Sequence, residues 1–176
     1  DSSGTVLDWA QHALSNHGVV KITYLGGYQI QKVIERYPAL SYRYHAAWQR
    51  EGELAALLTF RPIPDSDCFI FRASTFFLPE ALVRLSQASG DVAVGYYSLE
   101  AGEQFVGIIV VAGSRLEAAY VIAEKVAQKN CSANIEQWVD ALIAEGFHTS
   151  RVDLDGLAAP ISDQFALART LFGSKA

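Results

Sequence analysis

Val92-Ala93-Val94-Gly95-Tyr96-Tyr97-Ser98-Leu99, followed after a polar turn by Phe105-Val106-Gly107-Ile108-Ile109-Val110-Val111-Ala112, decides the fold class of this chain. Both segments are rich in β-branched and aromatic residues, and Glu100-Ala101-Gly102-Glu103 between them supplies the glycine of a turn. They read as a hairpin. The run from Val106 to Val111 is apolar at successive positions, which suits a strand buried on both faces. Ser114 stands three residues before Glu117, a capping-box spacing that predicts a helix from there to about Lys129. Leu116, Ala119, Tyr120, Ala123, Val126 and Ala127 then share one stripe. A hairpin followed by an amphipathic helix makes this an α+β chain.

Toward the N-terminus, Pro79 sits where a helix tolerates proline, at its first position, and Leu82, Val83 and Leu85 line that helix up to Gly90. Before it the pattern has period two. Leu40, Tyr42, Tyr44, Ala46 and Trp48 would share one face of a strand, Leu54–Arg61 reads as its hairpin partner across Arg50-Glu51-Gly52-Glu53, and Cys68–Ala73 follows. Three consecutive antiparallel strands are therefore expected over 39–73. Thr5 and Asp8 cap a first helix to Asn16, Val19–Tyr24 suits a short strand, and Gln29–Arg36 a short helix ended by Pro38. Toward the C-terminus, Asn134 and Gln137 repeat the capping logic for a helix to Glu145, while Phe147–Gly156 has no regular pattern. Ser162 precedes a last helix that places Phe165, Ala168, Leu171 and Phe172 on one side. The expected architecture is a single α+β domain over 1–176. An antiparallel sheet of about five strands packs against helices, with a core at 38–130 and a helical C-terminal extension at 131–176.

Composition narrows the function classes. Of 176 residues 51% are hydrophobic and only 19% charged, which excludes a disordered chain. The apolar runs fall short of the ~18–20 residues that a membrane span needs. Two cysteines, Cys68 and Cys131, make no disulfide framework, and as reduced thiols they point to the cytoplasm. The chain starts at Asp1, without an initiator methionine, as a processed protein would. Net charge is −5, and all of the excess lies beyond residue 75, because residues 1–75 carry seven basic and seven acidic side chains. The Lys and Arg residues are scattered singly. Phosphate neutralisation needs clustered cations, so nucleic acid is not an expected partner and a polybasic membrane anchor is absent.

Spacing supplies no catalytic constellation. Gly26-Gly27 fits neither a P-loop nor a dinucleotide fingerprint and reads as a tight turn. His12 and His17 lie on different helix faces, and Asp153-Leu154-Asp155-Gly156 lacks the remaining ligands of a calcium loop, so no metal or cofactor is expected. A nucleophile elbow is missing. Cys68 and His45 could form a Cys–His pair, but they read more simply as a strand cysteine and a surface histidine. The distinctive stretch is Tyr42-Arg43-Tyr44-His45-Ala46-Ala47-Trp48. Tyrosine and tryptophan bury an apolar body while keeping a polar tip wet, so Tyr42, Tyr44 and Trp48 are candidate partner- or ligand-binding residues. Phe165, Leu171 and Phe172 are a second candidate patch. Phe76-Phe77-Leu78 reads as a hydrophobic staple for the helix at Pro79.

The order of elements from Pro38 to Lys129 resembles the type III secretion chaperone-like fold, including YbjN-type bacterial regulators. Phe77-Leu78-Pro79-Glu80-Ala81-Leu82, the 92–112 hairpin and the helix opening at Ser114 carry that resemblance. It implies a small acidic homodimer that binds a protein partner. The expected function is then a non-enzymatic adaptor, chaperone-like or regulatory module. Two other readings stay open. One is a small-molecule-binding or enzymatic domain with a pocket beside strand 42–48, drawing on Tyr42, Arg43, Tyr44, His45 and Cys68. The other is a subunit that docks into a larger assembly through helix 162–172.

Overall fold

The computed structural model describes residues 5–19, 21–60, 66–99 and 102–172. In chain order the elements are α1 (Val6–Asn16), β1 (Thr23–Gly26), α2 (Ile30–Arg36), β2 (Ser41–Tyr44), α3 (Glu53–Leu58), β3 (Cys68–Phe71), β4 (Thr75–Phe77) and α4 (Pro79–Gln87). There follow β5 (Val92–Leu99), β6 (Gly102–Val111), a 3-10 turn (Gly113–Arg115), α5 (Leu116–Lys129), α6 (Ile135–Ala144), β7 (Thr149–Asp153), β8 (Ala158–Pro160) and α7 (Gln164–Phe172). They form two compact units, each discontinuous in sequence. The first draws on Asp1–Val19, Asp67–Ala112 and His148–Ala176, the second on Val20–Ser66 and Gly113–Phe147.

The first unit is built on a four-stranded sheet of order β3-β6-β5-β7. The predicted hairpin is there: β6 runs antiparallel to β5, and also to β3. β7 runs parallel to β5, with Val92 opposite Thr149 and Tyr96 opposite Asp153. Hence β3, β5 and β7 point the same way. Val92, Val94, Ile108, Ile109 and Val111 are buried in this sheet, and Ala81, Leu82 and Leu85 are the buried side of α4. The register shifts between Val94 and Tyr96, at Gly95, where a Cβ would meet the side chains of Leu154 and Ile108. A bulge glycine here lets the sheet close over Leu154. A second, small sheet pairs β4 with β8, Phe76 opposite Ala159. The Thr5–Asp8 capping box starts α1 as expected, and Trp9 meets Phe76 edge to face at 5.4 Å.

The second unit joins β1 and β2 in parallel through α2, the crossover that parallel pairing requires. Leu54 and Leu57 of α3, Leu116, Ala119, Tyr120 and Ala123 of α5, and Trp138, Val139 and Leu142 of α6 are buried. Trp138 is the largest of these, and its indole N–H donates to the Ala119 carbonyl at 2.9 Å.

Several expectations need correction. The sheet is mixed, with four strands plus two two-stranded pairs, and not one antiparallel sheet of five. Strand 40–48 ends at Tyr44 and pairs parallel with β1, because period two marks a strand without fixing its partner. The segment assigned as its hairpin partner is the helix α3. Glu53-Leu-Ala-Ala-Leu-Leu58 has no β-branched residue and is made of good helix formers, and Leu54 and Leu57 recur at helical spacing. The Ser114 capping box does not form; a 3-10 turn leads into α5, whose N-cap is Arg115. The final helix begins at Gln164, and its first turn is capped by Asp163, whose carboxylate accepts from the Ala166 N–H at 3.0 Å. The C-terminal part is not a helical extension, since β7 and β8 complete sheets begun near Thr75 and Val92. Phe76 and Phe77 belong to β4 rather than to a staple. Among the described residues no helix is long and apolar enough to cross a membrane.

Candidate functional site

In open sheets with parallel strands, ligands collect beyond the carboxyl ends of those strands, where loops and helix starts leave polar groups unspent. In the second unit that place lies past Gly26 and Tyr44, the final pair of the β1–β2 ladder. The chain leaves β2 through His45, whose N–H donates back to the Gly26 carbonyl at 2.9 Å. It leaves β1 through Gly27 and Tyr28 to Gln29, a non-glycine residue held left-handed at φ 50°. Gly27 has no room for a side chain, because a Cβ there would run into the Trp48 ring. The missing Cβ lets Trp48 lie on the turn and meet Tyr28, with ring centroids 5.2 Å apart. Tyr28 is 66% exposed, Tyr44 58% and Trp48 36%. Three aromatic side chains thus present open surface at one end of a parallel pair.

The chain leaving β2 also carries a polar group without a hydrogen bond. His45 is 7% exposed, and its Nε2 lies 3.4 Å from a Glu51 carboxylate oxygen but makes no hydrogen bond. Buried imidazole nitrogens are normally satisfied, and the nearest group to this one is the Glu51 carboxylate, at ion-pair distance. The loop carrying Glu51 is anchored on its other side. The Gly52 N–H donates to the Cys131 carbonyl at 2.8 Å, and the Leu54 N–H to that of Ala133 at 3.1 Å. A Cβ at Gly52 would collide with the backbone of Ser132 and Ala133.

The residues expected on strand 42–48 divide. Tyr44, His45 and Trp48 gather here. Tyr42 is structural: its hydroxyl donates to the Tyr37 and Val33 carbonyls at the end of α2. Burial, with Tyr24 and Tyr37 adding to it, holds the Tyr42 phenol above its ordinary pKa. The Arg43 guanidinium lies over the Phe60 ring at 5.9 Å. Cys68 starts β3 in the first unit, in which none of residues 42–48 takes part. Burial pushes its thiol up to about 11. At pH 8 such a thiol is ionised in about one part in a thousand, so it is no nucleophile. Iodoacetamide at pH 8 is therefore expected to label exposed Cys131 and leave Cys68 behind by about a hundredfold or more, as peptide mapping would read. Equal labelling would refute the burial of Cys68. Above its ordinary pKa the unfolded thiol loses its proton before the folded one, so this group withdraws stability as pH climbs toward 11. Of the last-helix candidates, Leu171 is exposed, while the side chains of Phe165 and Phe172 lie outside the described residues.

The first unit has its own carboxyl-end array. Arg72 lies over Phe105 at 5.2 Å, Phe105 meets Tyr96 at 6.2 Å, and Arg151 covers Tyr96 at 4.3 Å. Arg151 also pairs with Glu103 at 3.2 Å. On the other face the hydroxyl of buried Tyr97 lies 3.0 Å from the Asp163 carboxylate and 2.9 Å from Gln104.

This architecture has counterparts among solved structures. The inositol-1-phosphate CTP transferase from T. maritima superposes with a TM-score of 0.73 at 11% identity, over 94% of this chain and 80% of its own. CTP:phosphocholine cytidylyltransferase from Streptococcus pneumoniae gives 0.67 at 11% identity, over 97% of this chain and 85% of its own. For 4-diphosphocytidyl-2C-methyl-D-erythritol synthase from Anaerococcus prevotii the values are 0.62 and 9%, over 84% and 77%. The chain has the fold of these transferases. No family model matches the sequence, and no curated protein does.

That finding overturns the chaperone-like resemblance. Element order over 38–129 depended on three consecutive antiparallel strands, but the middle one is the helix α3, β2 pairs with β1 and β3 with β6, and the parallel pairs β1–β2 and β5–β7 give a different topology. The non-enzymatic adaptor reading falls with it, since the structures that share the fold are enzymes by their names. Of the readings kept beside it, the enzymatic one is the better supported. Sequence reasoning missed Gly27 and Tyr28. Gly26-Gly27 after a strand and before a helix was their only signal, and it fits an ordinary turn equally well.

Proposed function

We propose that this chain serves cytidylyl transfer, binding CTP and passing its nucleotidyl group to a phosphorylated alcohol. The observation that carries the reading is the fold, shared over 94% of the chain with an inositol-1-phosphate CTP transferase and over 97% with a CTP:phosphocholine cytidylyltransferase. In the reaction an acceptor phosphate oxygen attacks the α-phosphorus of CTP. The new P–O bond forms as the α–β bond breaks, and pyrophosphate leaves with the electron pair. The exposed rings of Tyr28, Trp48 and Tyr44 offer the base a stacking surface, which any nucleobase accepts. The Glu51 carboxylate, on a side chain 36% exposed, can accept a hydrogen bond from an amino group at a base edge. Among the described residues no three His, Cys, Asp or Glu side chains group so as to hold a metal ion.

Calorimetry with CTP, UTP, ATP and GTP tests binding, and pyrophosphate release with a panel of phosphorylated alcohols tests transfer. CTP is expected to bind in the micromolar range and above the other three. No CTP binding at about 1 mM, together with no pyrophosphate release, would overturn the reading.

A further inference from the structure

We propose that Glu51 selects a 4-amino pyrimidine over a 4-oxo one, cytosine over uracil, and that His45 is the positioning residue that aims its carboxylate. The inference rests on the cytidylyl-transfer reading and deepens it. The Ala47 carbonyl accepts from the Arg50 N–H at 2.8 Å and from the Glu51 N–H at 3.0 Å, so residues 47–51 close a single helical turn. Trp48 and Glu51 stand three apart in that turn and rise from the same side of it. Both are held. Gly27 seats the Trp48 ring, since a Cβ there would occupy the ring's own space. The residue after Glu51 is anchored as well, because the Gly52 N–H donates to the Cys131 carbonyl at 2.8 Å. Little ordering is then left for a ligand to impose.

The carboxylate has one charged neighbour. His45 Nε2, on a side chain 8% exposed, lies 3.4 Å from Glu51 Oε2, and among the described residues no Lys or Arg pairs with Glu51. The imidazole stays where it is, because its ring is buried and its backbone N–H is tied to the Gly26 carbonyl at 2.9 Å. It faces one oxygen of the carboxylate and so limits the directions in which the group can point. A carboxylate has about four lone-pair sites, which leaves the other oxygen for a base edge. An ionised carboxylate accepts hydrogen bonds and donates none. At its 4-position cytosine presents an amino group and uracil a carbonyl oxygen. The first makes a charge-assisted hydrogen bond with Glu51, and the second sets lone pairs against lone pairs. Adenine also carries an amino group, so the decisive comparison is between pyrimidines.

Calorimetry on the full chain compares CTP, UTP and the pyrimidin-2-one nucleoside triphosphate, which is CTP without its amino group. The wild type is expected to bind CTP about 10- to 100-fold more tightly than either, the discrimination of one good base-edge contact. Glu51→Ala should bring both ratios to within about threefold of one. Glu51→Gln, whose amide donates as well as accepts, should level CTP and UTP by gaining UTP. His45→Phe should lower the CTP-to-UTP ratio about threefold or more, and His45→Gln, which restores an N–H donor, should recover most of it. A histidine with a merely structural role would move the melting temperature and leave the ratio alone. Each ratio is taken within one protein, so a partly unfolded variant does not shift it. Equal wild-type affinity for CTP and its analogue, or a Glu51→Ala ratio as large as that of the wild type, overturns the proposal and leaves CTP binding standing. An unchanged ratio in His45→Phe overturns the positioning role. A wild type that binds no CTP ends this inference and the cytidylyl-transfer reading together.

Discussion

Trp138→Ala is expected to destabilise the chain by about 3–5 kcal/mol, seen as an early loss of helical signal in urea. The side chain has no solvent exposure. It stands on α6 with its ring edge to face against Tyr120 of α5, centroids 6.2 Å apart, and its indole N–H is satisfied by the Ala119 carbonyl. Truncation removes the ring contact, leaves a cavity and ends a hydrogen bond that ties the two helices side chain to backbone. A domain has only about 5–15 kcal/mol in hand, so this one change is a large share. Trp138→Phe separates the parts. It refills most of the volume and loses the N–H, so it should cost about 1–2 kcal/mol. If alanine costs under about 1 kcal/mol, α5 and α6 do not pack through this ring.

The helices were legible wherever a cap and a stripe agreed. Thr5 with Asp8 and Asn134 with Gln137 both close real capping boxes, and Pro79 stands at a helix start. The 92–111 hairpin was equally plain, since its strands pair with a near neighbour. Misreadings cluster where pairing is long-range. Nothing local in Thr149-Ser-Arg-Val-Asp153 announces a strand, because an edge position leaves most of its side chains part-exposed, and its partner lies at Val92. Likewise the alternation at Tyr42 and Tyr44 identified β2, while its parallel pairing with β1 depends on a helix crossing between them. The Leu54–Arg61 error had a local cause: the expectation of a hairpin outweighed an Ala- and Leu-rich run with helical preference.

The candidate site was half legible for the same reason. Tyr44, His45 and Trp48 stood out as an aromatic stretch, yet the strand that was to align them ends at Tyr44, and Trp48 reaches the site by turning over Gly27. Tyr28 comes from another loop, more than a dozen residues earlier, brought there by β1–β2 pairing. Only the backbone topology places these residues together.

Trp48→Ala is accordingly expected to weaken CTP binding about 10- to 100-fold while leaving the melting temperature nearly unchanged. Stacking a base on an aromatic ring contributes about 1–3 kcal/mol, which converts to that range. Trp48 is already 36% exposed, so its removal opens little core. Trp48→Tyr keeps a flat ring and should recover most of the affinity. Gly27→Ala offers an independent route to the same loss, since its new Cβ must displace the Trp48 ring without deleting any stacking surface. The two variants together distinguish a ring that holds the base from one that only fills the turn. In the first case both lose affinity, and Trp48→Tyr is close to wild type. In the second, calorimetry finds all three variants binding CTP like the wild type, and the base must then sit elsewhere than on Tyr28 and Trp48.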